Sequence, residues 1–93
     1  MSTPYVATLL WDDENIEKLA GHGLALERVD EVLDDPGRVI ATNRQDRRAL
    51  YLLIGRDDGG AAISVPVEPT HDPYMWRPIT AWLSKDSERA MLQ

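Results

Sequence analysis

The sequence contains no cysteine among its 93 residues. Disulfide staples, zinc–thiolate sites and thiol catalysis are thereby excluded. Small secreted domains often depend on such staples, so their absence favours a cytoplasmic protein. Phenylalanine is also missing. The large ring surfaces therefore have to come from Trp11, Trp76, Trp82, Tyr5, Tyr51 and Tyr74. A tryptophan is rarely buried whole, because its N–H needs a partner. No apolar run is long enough to span a bilayer, and no membrane association is expected. Residues 1–10 lack the basic start of a signal peptide. There is no glycine-rich phosphate loop, and Ser64 has no nucleophile-elbow context. The two histidines, His22 and His71, lie far apart in sequence and have no evident third ligand, so no metal and no cofactor are expected.

What is present describes one domain over residues 1–93. An apolar fraction of 43% is ordinary for a globular protein and supports one modest core. The net charge of −6 argues against a nonspecific nucleic-acid binder. Its distribution is uneven. Residues 12–35 hold nine acids against Lys18 and Arg28, whereas residues 36–56 hold Arg38, Arg44, Arg47, Arg48 and Arg56 against Asp46 alone. An acidic total can thus hide a basic surface, or each run can be a solvated face.

The pattern opens with a short apolar strand over residues 6–11. Asp12 or Asp13 caps a first helix whose apolar face is Ile16, Leu19 and Ala20, and Gly21 and Gly23 stop it around His22. A second helix spans about 25–33, with Leu26, Val29, Val32 and Leu33 as its stripe, and Pro36 prevents its continuation. Strands follow at 39–42 and 49–55, then a hairpin turn at 57–60 where glycine supplies positive φ. The next strand alternates Ile63, Val65 and Val67, and Pro66 marks an edge or a bulge. A last strand spans 76–82, and a helix capped by Ser84 or Asp86 runs to about residue 92. The expectation is an α+β fold: two N-terminal helices packed on one face of an antiparallel sheet of four or five strands, plus a C-terminal helix. The other face is expected to stay open and to hold any site. There, arginines can grip a phosphate through paired hydrogen bonds, with Glu68 and Glu88 as candidates for proton transfer.

Trp11-Asp12, Asn15, Lys18, His22-Gly23 and Asp34-Asp35-Pro36 are followed by Tyr51, Gly55-Arg56 and the turn at 57–60. Arg77-Pro78-Ile79-Thr80-Ala81 and Glu88-Arg89 come next. In order and spacing this set resembles the BrnT-type toxins of bacterial toxin–antitoxin pairs. The resemblance implies a RelE-like fold, metal-independent cleavage of RNA, and neutralisation by an antitoxin with a ribbon-helix-helix domain. It implies catalytic roles for Arg56, Arg77 and Glu88, and RNA contacts from Arg44, Arg47, Arg48, Thr80, Trp82 and Arg89. A homodimer and a toxin–antitoxin heterotetramer are both compatible with it. The family usually carries a basic residue where Trp82 stands, and a neutral indole cannot hold a phosphate but can stack on a base or a partner. Two readings follow: a toxin ribonuclease, or a non-catalytic relative that keeps the fold and a partner groove.

Overall fold

A computed structural model describes residues 4–43 and 49–92. Six strands and three short helices follow one another as β1 (Thr8–Leu9), α1 (Asp13–Gly21), α2 (Leu26–Asp30), β2 (Val39–Thr42), β3 (Tyr51–Arg56), β4 (Ala62–Pro69), β5 (Met75–Pro78), β6 (Trp82–Leu83) and α3 (Asp86–Arg89). A single 3-10 turn, Glu31–Asp34, extends α2. The architecture is mixed α+β, with two helices at the N-terminal end and one at the C-terminal end of a multi-stranded sheet. No helix among the described residues is long and apolar enough to cross a membrane.

Asp12 is the cap of α1. Its Oδ1 accepts from the Asn15 N–H at 2.9 Å, and Asn15 Oδ1 accepts in return from the Asp12 N–H at 2.8 Å. Two donors that the helix leaves unpaired are satisfied this way. Gly23, at φ 71°, lets the chain leave the helix in a left-handed turn after His22, the C-cap residue. Ile16 and Ala20 are exposed, so the expected apolar face reduces to Leu19. The second inward position belongs to Asn15, which is fully buried. Its Nδ2 donates to the carbonyls of Leu10 and Pro78, both at 2.9 Å. A polar residue is tolerated there because each of its polar atoms has a partner.

The sheet runs β1-β5-β4-β3-β2, and β6 pairs with β4 beyond the end of β5. Three expectations are corrected. The described residues form six strands rather than four or five. The sheet is mixed, because β1 lies parallel to β5, Thr8 opposite Met75. The expected strand at 76–82 is broken into β5 and β6. Pro66 accounts for the break. It sits inside β4, opposite Leu52, and its carbonyl accepts from the Ile79 N–H at 2.9 Å. A strand residue turns N–H and C=O to the same side, so the donor that proline lacks falls where β5 gives way to β6. The first strand is two residues long, and α3 is a single turn that begins after Lys85.

Alternation along β3 and β4 divides the sheet into two faces. Leu53, Ile63, Val65 and Val67 meet Leu19, Val29 and Val32 from the helices, and all are buried. Gly55 lies on this face because the helix approaches closely. A Cβ there would stand 2.6 Å from Val32 Cγ1 and 3.1 Å from Arg38 Cβ. The opposite face does not stay open: Leu52, Ile54, Ala62 and Ser64 are buried, with Trp82 opposite Ser64 and Glu88 of α3 bonded to it.

Asn15→Ala removes two donors and an acceptor together and leaves the Pro78 carbonyl buried without its bond. We expect a loss of about 3 kcal/mol in unfolding free energy, on the scale of unsatisfied buried polar groups. Urea denaturation should show a lower midpoint with an unchanged slope.

Candidate functional site

Arg77 is central to the expected chemistry, and its surroundings are acidic. In β5 it pairs in register with Glu68 of β4. Its Nε donates to Asp12 Oδ2 at 2.7 Å, and Nη2 reaches Asp12 Oδ1 at 3.2 Å and Glu14 Oε1 at 2.9 Å. Nη1 lies 3.4 Å from Glu68 Oε2. The side chain is only 16% exposed. The guanidinium beside it, together with the Asn15 N–H, holds the Asp12 carboxyl below its ordinary value, while Asp12 raises that of Arg77. Each nitrogen of the fork faces a carboxylate, and four of its five N–H donors are used this way, which leaves little of the fork for a phosphate.

Arg56 lies elsewhere. It pairs with Ala62 whereas Arg77 pairs with Glu68, six residues further along β4. At the rise of a strand that separation is roughly 20 Å. The expectation of one anion site shared by these two arginines is therefore corrected. Arg56 stands at the hairpin end of the sheet in a recess of about 270 Å³ lined by Glu31, Asp34, Asp35, Asp57 and Asp58. Its Nη1 donates to the Gly60 carbonyl at 3.2 Å and its backbone N–H to Asp35 Oδ2 at 2.8 Å. That N–H and the Gly37 N–H keep the Asp35 carboxyl low. Such a recess repels an anion rather than collecting one.

Glu88 belongs to a third cluster. Its Oε1 accepts from Lys85 N–H at 2.8 Å, Ser64 Oγ at 2.9 Å and Trp82 Nε1 at 3.1 Å. Ser64 Oγ also lies 2.7 Å from Ser84 Oγ, and both serines are buried. Burial pushes the Glu88 carboxyl up, but the three donors more than offset it and the net shift is downward. A general acid needs a shift in the reverse direction. Trp82 takes a specific part in this cluster. Its N–H serves the carboxylate, and Lys85 Nζ stands 6.0 Å from the centre of its ring. The Thr80 hydroxyl is buried without a hydrogen-bond partner among the described residues. Arg89 donates to the Ser84 carbonyl and pairs with Asp86. Arg44, Arg47 and Arg48 lie outside the described residues.

Two open grooves flank β2, the outermost strand of the sheet order. On the helix side one of about 470 Å³ lies between Tyr5 and Val6 on one wall and Arg38, Val39 and Ile40 on the other. The Arg38 guanidinium stands 5.9 Å over the Tyr5 ring. On the other side a groove of about 240 Å³ has Ala41 and Leu52 as floor and Trp82, Glu88 and Met91 as wall. Sequence reasoning did not find these grooves. Tyr5 and Met91 are isolated in sequence, and only the tertiary fold brings them beside β2. The buried serines were equally hidden, because nothing local distinguishes a buried serine from a surface one.

No protein-family model matches the chain, and no curated protein matches it.

The Glu88 carboxyl is lower in the folded than in the unfolded state, where its ordinary value is 4.5. Its stabilising effect is therefore complete above that pH and is lost as the pH falls through the lower folded value. Glu88→Gln should be less stable than wild type at neutral pH, and the gap should narrow on acidification below 4.5. Unfolding midpoints followed between neutral and acid pH check this.

Proposed function

We propose that this chain is a BrnT-like component of a toxin–antitoxin pair, with a RelE-like fold, that acts by holding a protein partner rather than by cutting RNA. The observation that carries the reading is the state of the arginines. Arg77 is held by Asp12, Glu14 and Glu68, and Arg56 lies at the far end of the sheet in an acidic recess. Phosphodiester cleavage needs positive charge aimed at the oxygens where negative charge develops. Here Arg56, Arg77 and Glu88 are each turned toward the protein itself. The Trp82–Glu88 bond supports the same reading, since a basic side chain at Trp82 would be the family's usual source of that charge. The paired N-terminal helices and the following sheet support a RelE-like arrangement.

The experiment is a single-stranded RNA cleavage assay with the purified protein, run beside co-expression with a small ribbon-helix-helix protein encoded next to it. Intact RNA after incubation with wild type and with Trp82→Arg is the expected result, together with a stable complex on co-purification. Arg77→Ala should lower the unfolding midpoint, because it leaves three carboxylates facing one another. RNA cleavage that disappears in a folded Arg77→Ala protein would overturn the reading. So would a folded pair that fails to associate.

A further inference from the structure

The outer edge of β2 carries a row of backbone groups with no strand beside it among the described residues. Asn43 N–H donates inward to the Leu50 carbonyl at 2.9 Å. In an antiparallel pair the inward-facing residues alternate, so Ala41 and Val39 also turn their backbone toward β3. Ile40 and Thr42 then present N–H and C=O outward. Natural sheets guard such an edge with charge, proline, a bulge or extreme shortness. The opposite edge, β1, is two residues long. By contrast β2 reads Val39-Ile40-Ala41-Thr42, four paired residues without a charge, a proline or a break in register.

The two grooves described above lie on either side of this edge. Successive side chains of an added strand point to opposite faces. One set would enter the groove floored by Ala41 and Leu52 and walled by Trp82 and Met91. The other would enter the groove of Tyr5 and Arg38. The backbone edge and the two side-chain channels thus form one continuous surface of the kind that receives an extended peptide.

We infer that β2 is the docking edge for an extended acidic peptide segment of a protein partner, added to the sheet beside Ile40 and Thr42. This rests on the partner-binding reading and names the surface and the chemistry of what binds. Charge selects the occupant. The first groove contains the Arg38 guanidinium and no acidic side chain in its lining. A second copy of the chain fits poorly, because its own β2, Val39–Thr42, carries no acid to place on Arg38. Nucleic acid has no strand backbone to pair with Ile40 and Thr42, and Glu88 lines the second groove. A strand alternating apolar and acidic residues satisfies both channels, the apolar set toward Trp82 and Met91 and the acidic set toward Arg38.

The probe is a fluorescein-labelled nine-residue peptide alternating leucine and glutamate, titrated into the full chain and followed by anisotropy. A peptide alternating leucine and lysine and a single-stranded RNA oligonucleotide serve as comparisons. The glutamate peptide should bind best. Thr42 is exposed and its N–H faces outward, so Thr42→Pro removes one docking donor while sparing the core. Affinity should fall by about tenfold, the equivalent of one lost hydrogen bond. Thr42→Ala keeps the donor and should bind as wild type does. Arg38→Glu should reverse the preference toward the lysine peptide. Unchanged affinity in a Thr42→Pro protein whose circular dichroism matches wild type would overturn the inference. Equal or tighter binding of the lysine peptide or of RNA, or a dimer that Thr42→Pro abolishes, would do the same. A ribbon-helix-helix partner that stays bound to Thr42→Pro removes the docking edge but leaves the proposed function standing. If that partner fails to bind wild type, the functional reading falls, and the peptide titration still decides whether β2 accepts a strand.

Discussion

The N-terminus of α1 is tied to the end of β5 by a knot of two residues, Asn15 and Arg77. Asn15 reaches past its own helix to the Pro78 carbonyl, and Arg77 reaches back from β5 to the cap residue Asp12. Each contact satisfies a group that would otherwise be stranded. The cap carboxylate serves the helix amide and the guanidinium together, so the helix dipole, the cap and the ion pair reinforce one another at one point. With α1 fixed there, Leu19 lies over the core, and the chain that follows brings Val29 and Val32 onto β3 and β4.

The same arrangement explains how a chain with segregated charge folds without concentrated repulsion. The acid-rich helical half and the arginine-rich sheet half are separate in sequence, but they meet repeatedly in space. Arg28 of α2 pairs with Asp57 of the hairpin at 3.0 Å, Asp35 receives the Arg56 N–H, and Asp12 and Glu14 receive Arg77. Most of these pairs are partly exposed, so each adds modestly to stability. Their larger effect is orientation. Arg28 and Arg77 are committed to carboxylates of the chain itself, and β2 with its two grooves lies apart from these pairs.

Much of the fold was legible because it rests on local rules. The cap at Asp12, the stop at Gly23, the hairpin at 57–60 and the alternating run in β4 are each written in a few adjacent residues. What was not legible depends on distant partners. Asn15 looks like a surface residue until Pro78 arrives to accept its proton. Pro66 signals a disturbance, but only the position of Ile79 shows that the disturbance lies between two strands rather than at an outer edge. The surroundings of the candidate arginines were hidden for the same reason. Arginines were grouped by type, whereas their partners are set by which carboxylates the fold delivers. A sequence carries no direct sign that Asp12 and Arg77, 65 residues apart, will meet.

The parallel pairing of Thr8 with Met75 has a consequence for the order of assembly. The two residues are separated by most of the chain, and closing so long a loop is slow compared with forming a hairpin. During synthesis β3 and β4 can pair once β4 has followed the turn at 57–60 out of the ribosome. Residues 8–9 have to wait for β5, and so does the knot at α1. Until β5 emerges the helices lack their anchor, and Leu19, Val29 and Val32 keep apolar surface in water that the finished sheet will cover.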